Sequence, residues 1–135
     1  MSKIEPARVW ALNYRLLTSV IHAATPDVAA LGLEVKELFI LAEVEEHPYP
    51  AELAGALSMP KPTITVYVKR LEAAGLLRRE IDRADLRRHR LALTPAGRKA
   101  SVQGRTLLSG TFSDRLGRLS AAEQATLLAL LEKMS

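Results

Sequence analysis

The chain has 135 residues, 48% of them hydrophobic and 25% charged, with a net charge of +4 and no cysteine. That length holds one compact domain, or one small reading module with helical arms, and leaves little room for a catalytic domain, while the composition is that of a folded protein. The missing cysteine excludes disulfides, cysteine-ligated metals and sensing by thiol oxidation within this chain.

From about Pro6 to Ala24 the apolar period predicts a helix, with Pro6 in its first turn and Ala24-Thr25-Pro26-Asp27 ending it. Val9, Trp10, Leu12, Tyr14, Leu16, Leu17, Val20 and Ile21 cover more than half of its circumference. A surface helix needs a narrower stripe, so burial on two sides is expected, against its own domain and against another subunit. Asn13 falls inside that arc near Trp10 and Tyr14, where a buried amide needs a partner. His22 lies on the polar side.

A second helix is expected from about Glu34 to Glu46, broken by His47-Pro48, and a short third from Ala51 to Leu57. The turn Ser58-Met59-Pro60-Lys61 leads into a helix that starts near Pro62 and ends at Ala74-Gly75, where glycine takes the left-handed cap. Helix, tight turn, helix is the result. Two short extended runs follow, Leu76 to Ile81 and Arg88 to Leu93, joined by the polar stretch 82–87 into a hairpin with a charged tip. Thr94 and Pro95 open a helix to roughly Leu116, and Ser120 with Glu123 forms a capping box for the last, which carries Leu127, Leu128, Leu130 and Leu131.

The fold class is therefore mainly α with a small β wing, a winged helix-turn-helix over 33–94 with a helical dimerisation region at 1–32 and 95–135. The terminal helices carry more apolar surface than a small core absorbs, and pairing with a second copy accounts for it.

The charge is unevenly placed. Residues 1–60 hold 4 Lys/Arg against 8 Asp/Glu, and residues 61–135 hold 15 against 7, a net −4 followed by +8. On the second helix of the helix-turn-helix, Ile64, Tyr67, Val68 and Leu71 face the core, while Pro62, Val66 and Lys69, flanked by Thr63, Thr65 and Arg70, face away. Threonine can bond to phosphates or base edges and touch thymine methyls; Lys69 and Arg70 can reach phosphates, and Lys61 adds charge to the helix N-terminus. A solvated helix face would look the same. In the hairpin Arg78, Arg79, Arg83, Arg87, Arg88 and Arg90 crowd together with few acids between them, suiting a narrow, negative minor groove, and His89 can meet a phosphate. Solvated wing charge remains the alternative.

The run from Thr63 to Arg79, containing Leu71-Glu72-Ala73-Ala74-Gly75-Leu76, together with Asp82-Arg83-Ala84-Asp85-Leu86-Arg87 and Leu93-Thr94-Pro95-Ala96-Gly97, resembles the MarR family of transcriptional regulators. The resemblance covers about Glu52 to Gly97. It implies a homodimer, in which the first and last two helices interlock and two winged modules enter successive major grooves of double-stranded DNA. It also implies regulation, as a repressor, of a palindromic operator. Asp85 and Arg87 match the family's wing motif, which implies Arg87 as the minor-groove finger and Asp85 as the residue that orients it or its loop. Val66 and Leu86 stand where many members carry arginine, and both bear on the operator sequence. Many relatives are released by small aromatic or anionic molecules, for which Trp10, Asn13 and Tyr14 are the candidate contacts here. The other functional reading is a winged-helix protein-interaction module that does not read specific DNA.

No enzyme, cofactor or metal is expected. Phosphate loop, nucleophile elbow and paired histidines on one helix face are all missing, and Glu43, Glu45 and Glu46 read as a solvated face. No apolar run reaches membrane-spanning length, and the N-terminus has no signal-peptide layout, so a cytoplasmic protein is expected.

Overall fold

The computed structural model describes residues 3–135; the first two residues of the expected 1–32 region lie outside them. The order is α1 (Pro6–Ala30), α2 (Val35–Glu43), α3 (Pro50–Leu57), α4 (Lys61–Ala73), β1 (Leu77–Ile81), β2 (His89–Leu93), α5 (Pro95–Leu116) and α6 (Ala121–Met134). The fold class is as the sequence predicts. The chain forms two compact units, one of residues up to Ala24 with Leu107–Ser135, the other of Thr25–Thr106. Both divisions fall inside helices, in α1 and α5, rather than at their ends.

Two boundaries differ from expectation. α1 runs through Thr25-Pro26 to Ala30, although Pro26 removes one ladder hydrogen bond. The reason is burial: Ala24 and Val28 on either side of Pro26 are wholly inaccessible, so the helix continues until Gly32 (φ +79°) turns it out. α2 stops at Glu43 rather than Glu46, because Val44-Glu45-Glu46 form a turn that ends with the His47 amide bonded to the Glu43 carbonyl at 2.9 Å.

The Thr25–Thr106 unit holds the core, built from Leu33, Leu38, Ile40, Leu41, Val44, Leu53, Ile64, Val68, Leu71, Leu77, Leu91 and Leu93. α5 closes over it with small residues. A methyl on Gly97 would strike the Leu76 carbonyl, one on Gly104 would strike the Leu38 side chain, and Ser101 is buried with its hydroxyl toward the Leu41 carbonyl at 3.4 Å. Thr94 joins this helix to the hairpin, since its Oγ1 accepts from the Gly97 amide at 3.0 Å and donates to the Gly75 carbonyl at 2.6 Å.

The other unit is sparsely packed. α6 buries no residue, and Leu128, Leu130, Leu131 and Met134 are all exposed. Its start is nonetheless well made: Ser120 Oγ accepts from the Glu123 amide at 3.2 Å, and Glu123 returns a carboxylate to the Ser120 amide at 2.9 Å. On the N-terminal part of α1, Val9, Trp10, Leu12, Tyr14 and Leu17 are exposed as well, so the two-sided burial expected for them does not occur within the single chain. Among the described residues no single helix is long and apolar enough to cross a membrane.

Candidate nucleic-acid interface

The helix-turn-helix is closed by backbone geometry. α3 ends on Ser58, held left-handed at φ 51°, with its amide on the Ala54 and Gly55 carbonyls. Pro60 then caps α4 and Pro62 occupies its first turn, where a missing amide hydrogen is harmless. α4 ends where Gly75 (φ +75°) lets the Leu76 amide return to the Leu71 carbonyl at 2.9 Å. Ile64, Val68 and Leu71 are buried and Tyr67 half-buried, so the register of the helix is fixed.

That register sets the outward residues. Lys61, Pro62, Thr65, Val66, Lys69 and Arg70 are exposed, and Thr63 is half-buried. Thr65 donates to the Lys61 carbonyl at 3.1 Å, which leaves its oxygen as an acceptor. Among the described residues Lys61 and Lys69 form no ion pair. Arg70 differs from the free cation the sequence suggests, because its guanidinium lies 3.3 Å from Glu34 Oε1 and over the Tyr67 ring.

The wing sorts its arginines. β1 and β2 pair antiparallel from Leu77 opposite Leu93 to Ile81 opposite His89. The sequence reads as arginine-rich with few acids, yet four of the six are paired: Arg78 with Glu80 (2.9 Å), Arg79 with Glu72 (3.0 Å), Arg87 with Asp85 (3.1 Å) and Arg88 with Asp82 (3.8 Å). Glu72 lies outside the hairpin, on α4, where linear inspection does not find it. Arg83 and Arg90 are exposed and form no ion pair among the described residues, and His89 is exposed beside them.

Arg87 and Asp85 make a small device. One carboxylate oxygen of Asp85 accepts from both the backbone amide and Nε of Arg87, each at 3.1 Å, so the arginine is aimed from its own loop. Yet the Arg87 side chain is 91% exposed, so its fork remains available.

At the foot of the wing is a group that linear reading does not find. The Tyr49 hydroxyl donates to Asp82 Oδ2 at 2.5 Å, and the Arg88 guanidinium lies 3.5 Å above the Tyr49 ring centre. Asp82 is buried; the phenol hydrogen bond, the Ala84 amide and Arg88 together hold its carboxyl below the ordinary range. The same bond, with the loss of water around the ring, raises the Tyr49 phenol. Tyrosine 33 positions away from its partner carries no sequence signal.

Trp10 and Tyr14 stack at 5.3 Å on α1, and Asn13 beside them is exposed rather than buried. A cleft of about 590 Å³ opens elsewhere, with Leu93, Pro95 and Val102 as an apolar floor and Arg78, Arg98 and Lys99 around it. Glu43, Glu46 and His47 bring one potential ligand atom each within 4.8 Å of one another, a grouping that the spacing of histidines alone does not reveal.

Residues 31–88 match the model of the MarR family. Transcriptional regulator HosA of Escherichia coli O127:H6 is 39% identical over 74 residues, 55% of each chain; the chain thus spans about half the length of the curated relatives it matches. Among solved structures, the Mycobacterium tuberculosis MarR family protein Rv2887 with p-aminosalicylic acid is 25% identical, with a TM-score of 0.76 over 92% of this chain and 95% of that one. Rv2887 in complex with DNA, at 22% identity, has a TM-score of 0.77 over 98% and 99%. The family model thus matches the helix-turn-helix, β1 and the loop of the wing, and over most of its length this chain shares the fold of MarR family structures.

Proposed function

We propose that the chain is a DNA-binding transcriptional regulator, working as a homodimer and repressing from a palindromic operator. The observation that carries this reading is the pairing of one exposed helix face, Lys61, Thr65, Val66 and Lys69, with a wing whose Arg87 is aimed by Asp85 and left open to solvent. α4 then enters the major groove, Thr63 and Thr65 serve bases or phosphates, and Lys61 and Lys69 neutralise phosphates. The wing sends Arg87 into the minor groove, flanked by Arg83 and His89. Arg70 and Arg88, both held by carboxylates, contribute mainly by shaping the surface.

Dimerisation is supported by the apolar residues left exposed on α1 and α6. Half-sites then lie about one helical turn apart, ~34–36 Å along the duplex. Release by a small aromatic or anionic effector fits the complexes of Rv2887 with p-aminosalicylic and salicylic acids. Trp10, Asn13 and Tyr14 are candidate contacts, and the cationic cleft beside α5 is another place of suitable chemistry.

Selection from random duplexes tests the reading. Enrichment of a palindrome, with affinity that falls steeply with salt, is the expected outcome. No enrichment, with binding instead to an acidic protein, would make the chain a winged-helix interaction module.

A further inference from the structure

The loop between the two strands has no apolar anchor. Ala84 is exposed and Leu86 is 77% exposed, so packing does not set the direction in which the loop points. Polar contacts do. Asp82 closes the loop by donating its amide to the Arg88 carbonyl at 3.1 Å, while its Oδ1 accepts from the Ala84 amide at 2.9 Å. The Arg88 amide reaches the Asp85 carbonyl at 3.0 Å, and Asp85 in turn holds Arg87. Every link in that chain lies inside the wing except its first, the Tyr49 hydroxyl on Asp82 Oδ2 with the Tyr49 ring beneath Arg88.

Tyr49 is well placed for such a task. It caps the N-terminus of α3, is half-buried, and accepts the Leu53 amide at 3.0 Å, so its backbone belongs to the helix-turn-helix. One residue earlier, the Pro48 carbonyl accepts the Leu91 amide of β2 at 2.7 Å, so the same turn fixes the strand and the loop above it. A charged hydrogen bond and a stacked guanidinium together resist both sliding and tilting of the ribbon.

We propose that Tyr49, Asp82 and Arg88 form a latch that fixes the wing against the start of α3 and so positions Arg87, making Tyr49 a positioning residue for DNA binding that itself touches no DNA. This rests on the DNA-binding reading above.

The test is a double-mutant cycle read by anisotropy on a selected operator duplex. Tyr49→Phe keeps the ring under Arg88 and removes the hydroxyl; Tyr49→Leu removes both. The expected losses of affinity are about threefold and about tenfold, and neither variant weakens binding further in an Arg87→Ala background. Amide exchange across residues 83–88 accelerates in Tyr49→Phe while exchange in the α2 core stays as in the unmodified chain. Normal binding by both Tyr49 variants, or losses that multiply with that of Arg87→Ala, would overturn the latch while leaving the DNA reading intact. If the unmodified chain binds no duplex at low salt, the DNA reading fails and the latch loses its purpose with it.

Discussion

A guanidinium held at its Nε by a neighbouring carboxylate has fewer orientations to lose on binding than a free one, which is the advantage Asp85 gives Arg87. Arg87→Ala is expected to weaken binding to all duplexes by about 1–2 kcal/mol without altering the oligomer, measured by anisotropy beside sedimentation. Asp85→Ala should cost less, because the cation survives and only its aim is lost. Acid acts on the neighbouring group. Since the folded chain holds Asp82 below its ordinary range, its contribution to stability is complete above about pH 4 and is lost as pH falls through the lowered folded value. Tyr49 has the opposite sign: raised in the fold, it contributes below about pH 10 and ceases to as pH rises through its folded value. Denaturant titrations across pH should show the acid limb flattened in Asp82→Asn. At this scale the sequence is informative where contacts are local. Asp85 and Arg87 are two residues apart and are marked by their resemblance to the MarR wing motif; Tyr49 with Asp82, Arg79 with Glu72 and Arg70 with Glu34 are made by folding, so the residues alone give no hint of them.

Elements with their own punctuation are where sequence and structure agree most closely. Pro95 at the start of α5, Gly75 at the end of α4 and the Ser120–Glu123 box all stand where their chemistry requires. α1 departs because the burial of Ala24 and Val28 outweighs the breaking tendency of Pro26, and burial is a property of the folded chain rather than of a local stretch. Ser58 shows a strain that sequence does not announce. A side chain held at φ 51° costs about 1 kcal/mol that glycine avoids, so Ser58→Gly should raise stability by up to that amount, read from the denaturation midpoint. In the opposite direction, Gly97→Ala should destabilise strongly, because the added methyl meets the Leu76 backbone carbonyl, which cannot step aside without moving β1.

Across the whole molecule the apolar surface is divided unequally between the two units. The Thr25–Thr106 unit buries a core of leucine, isoleucine and valine and leaves Val66, Ile81, Leu86 and Val102 exposed, whereas α6 buries none. A groove of about 420 Å³ between the end of α5 and α6 has Phe112, Leu116, Leu127, Leu128 and Leu131 along it, apolar surface on which the proposed homodimer would close. Leu128→Glu combined with Leu131→Glu should therefore shift sedimentation from dimer to monomer and abolish operator binding with it, while the helix-turn-helix keeps its fold. The hairpin raises a different matter, the fate of its open border. A two-stranded ribbon with unused backbone groups invites a neighbouring chain to add a strand. Here the Leu91 amide of β2 is already taken by the Pro48 carbonyl, and proline has no amide hydrogen to offer in return. Strand addition is thus capped on that side by a residue unable to propagate it, which guards the ribbon against edge-to-edge association.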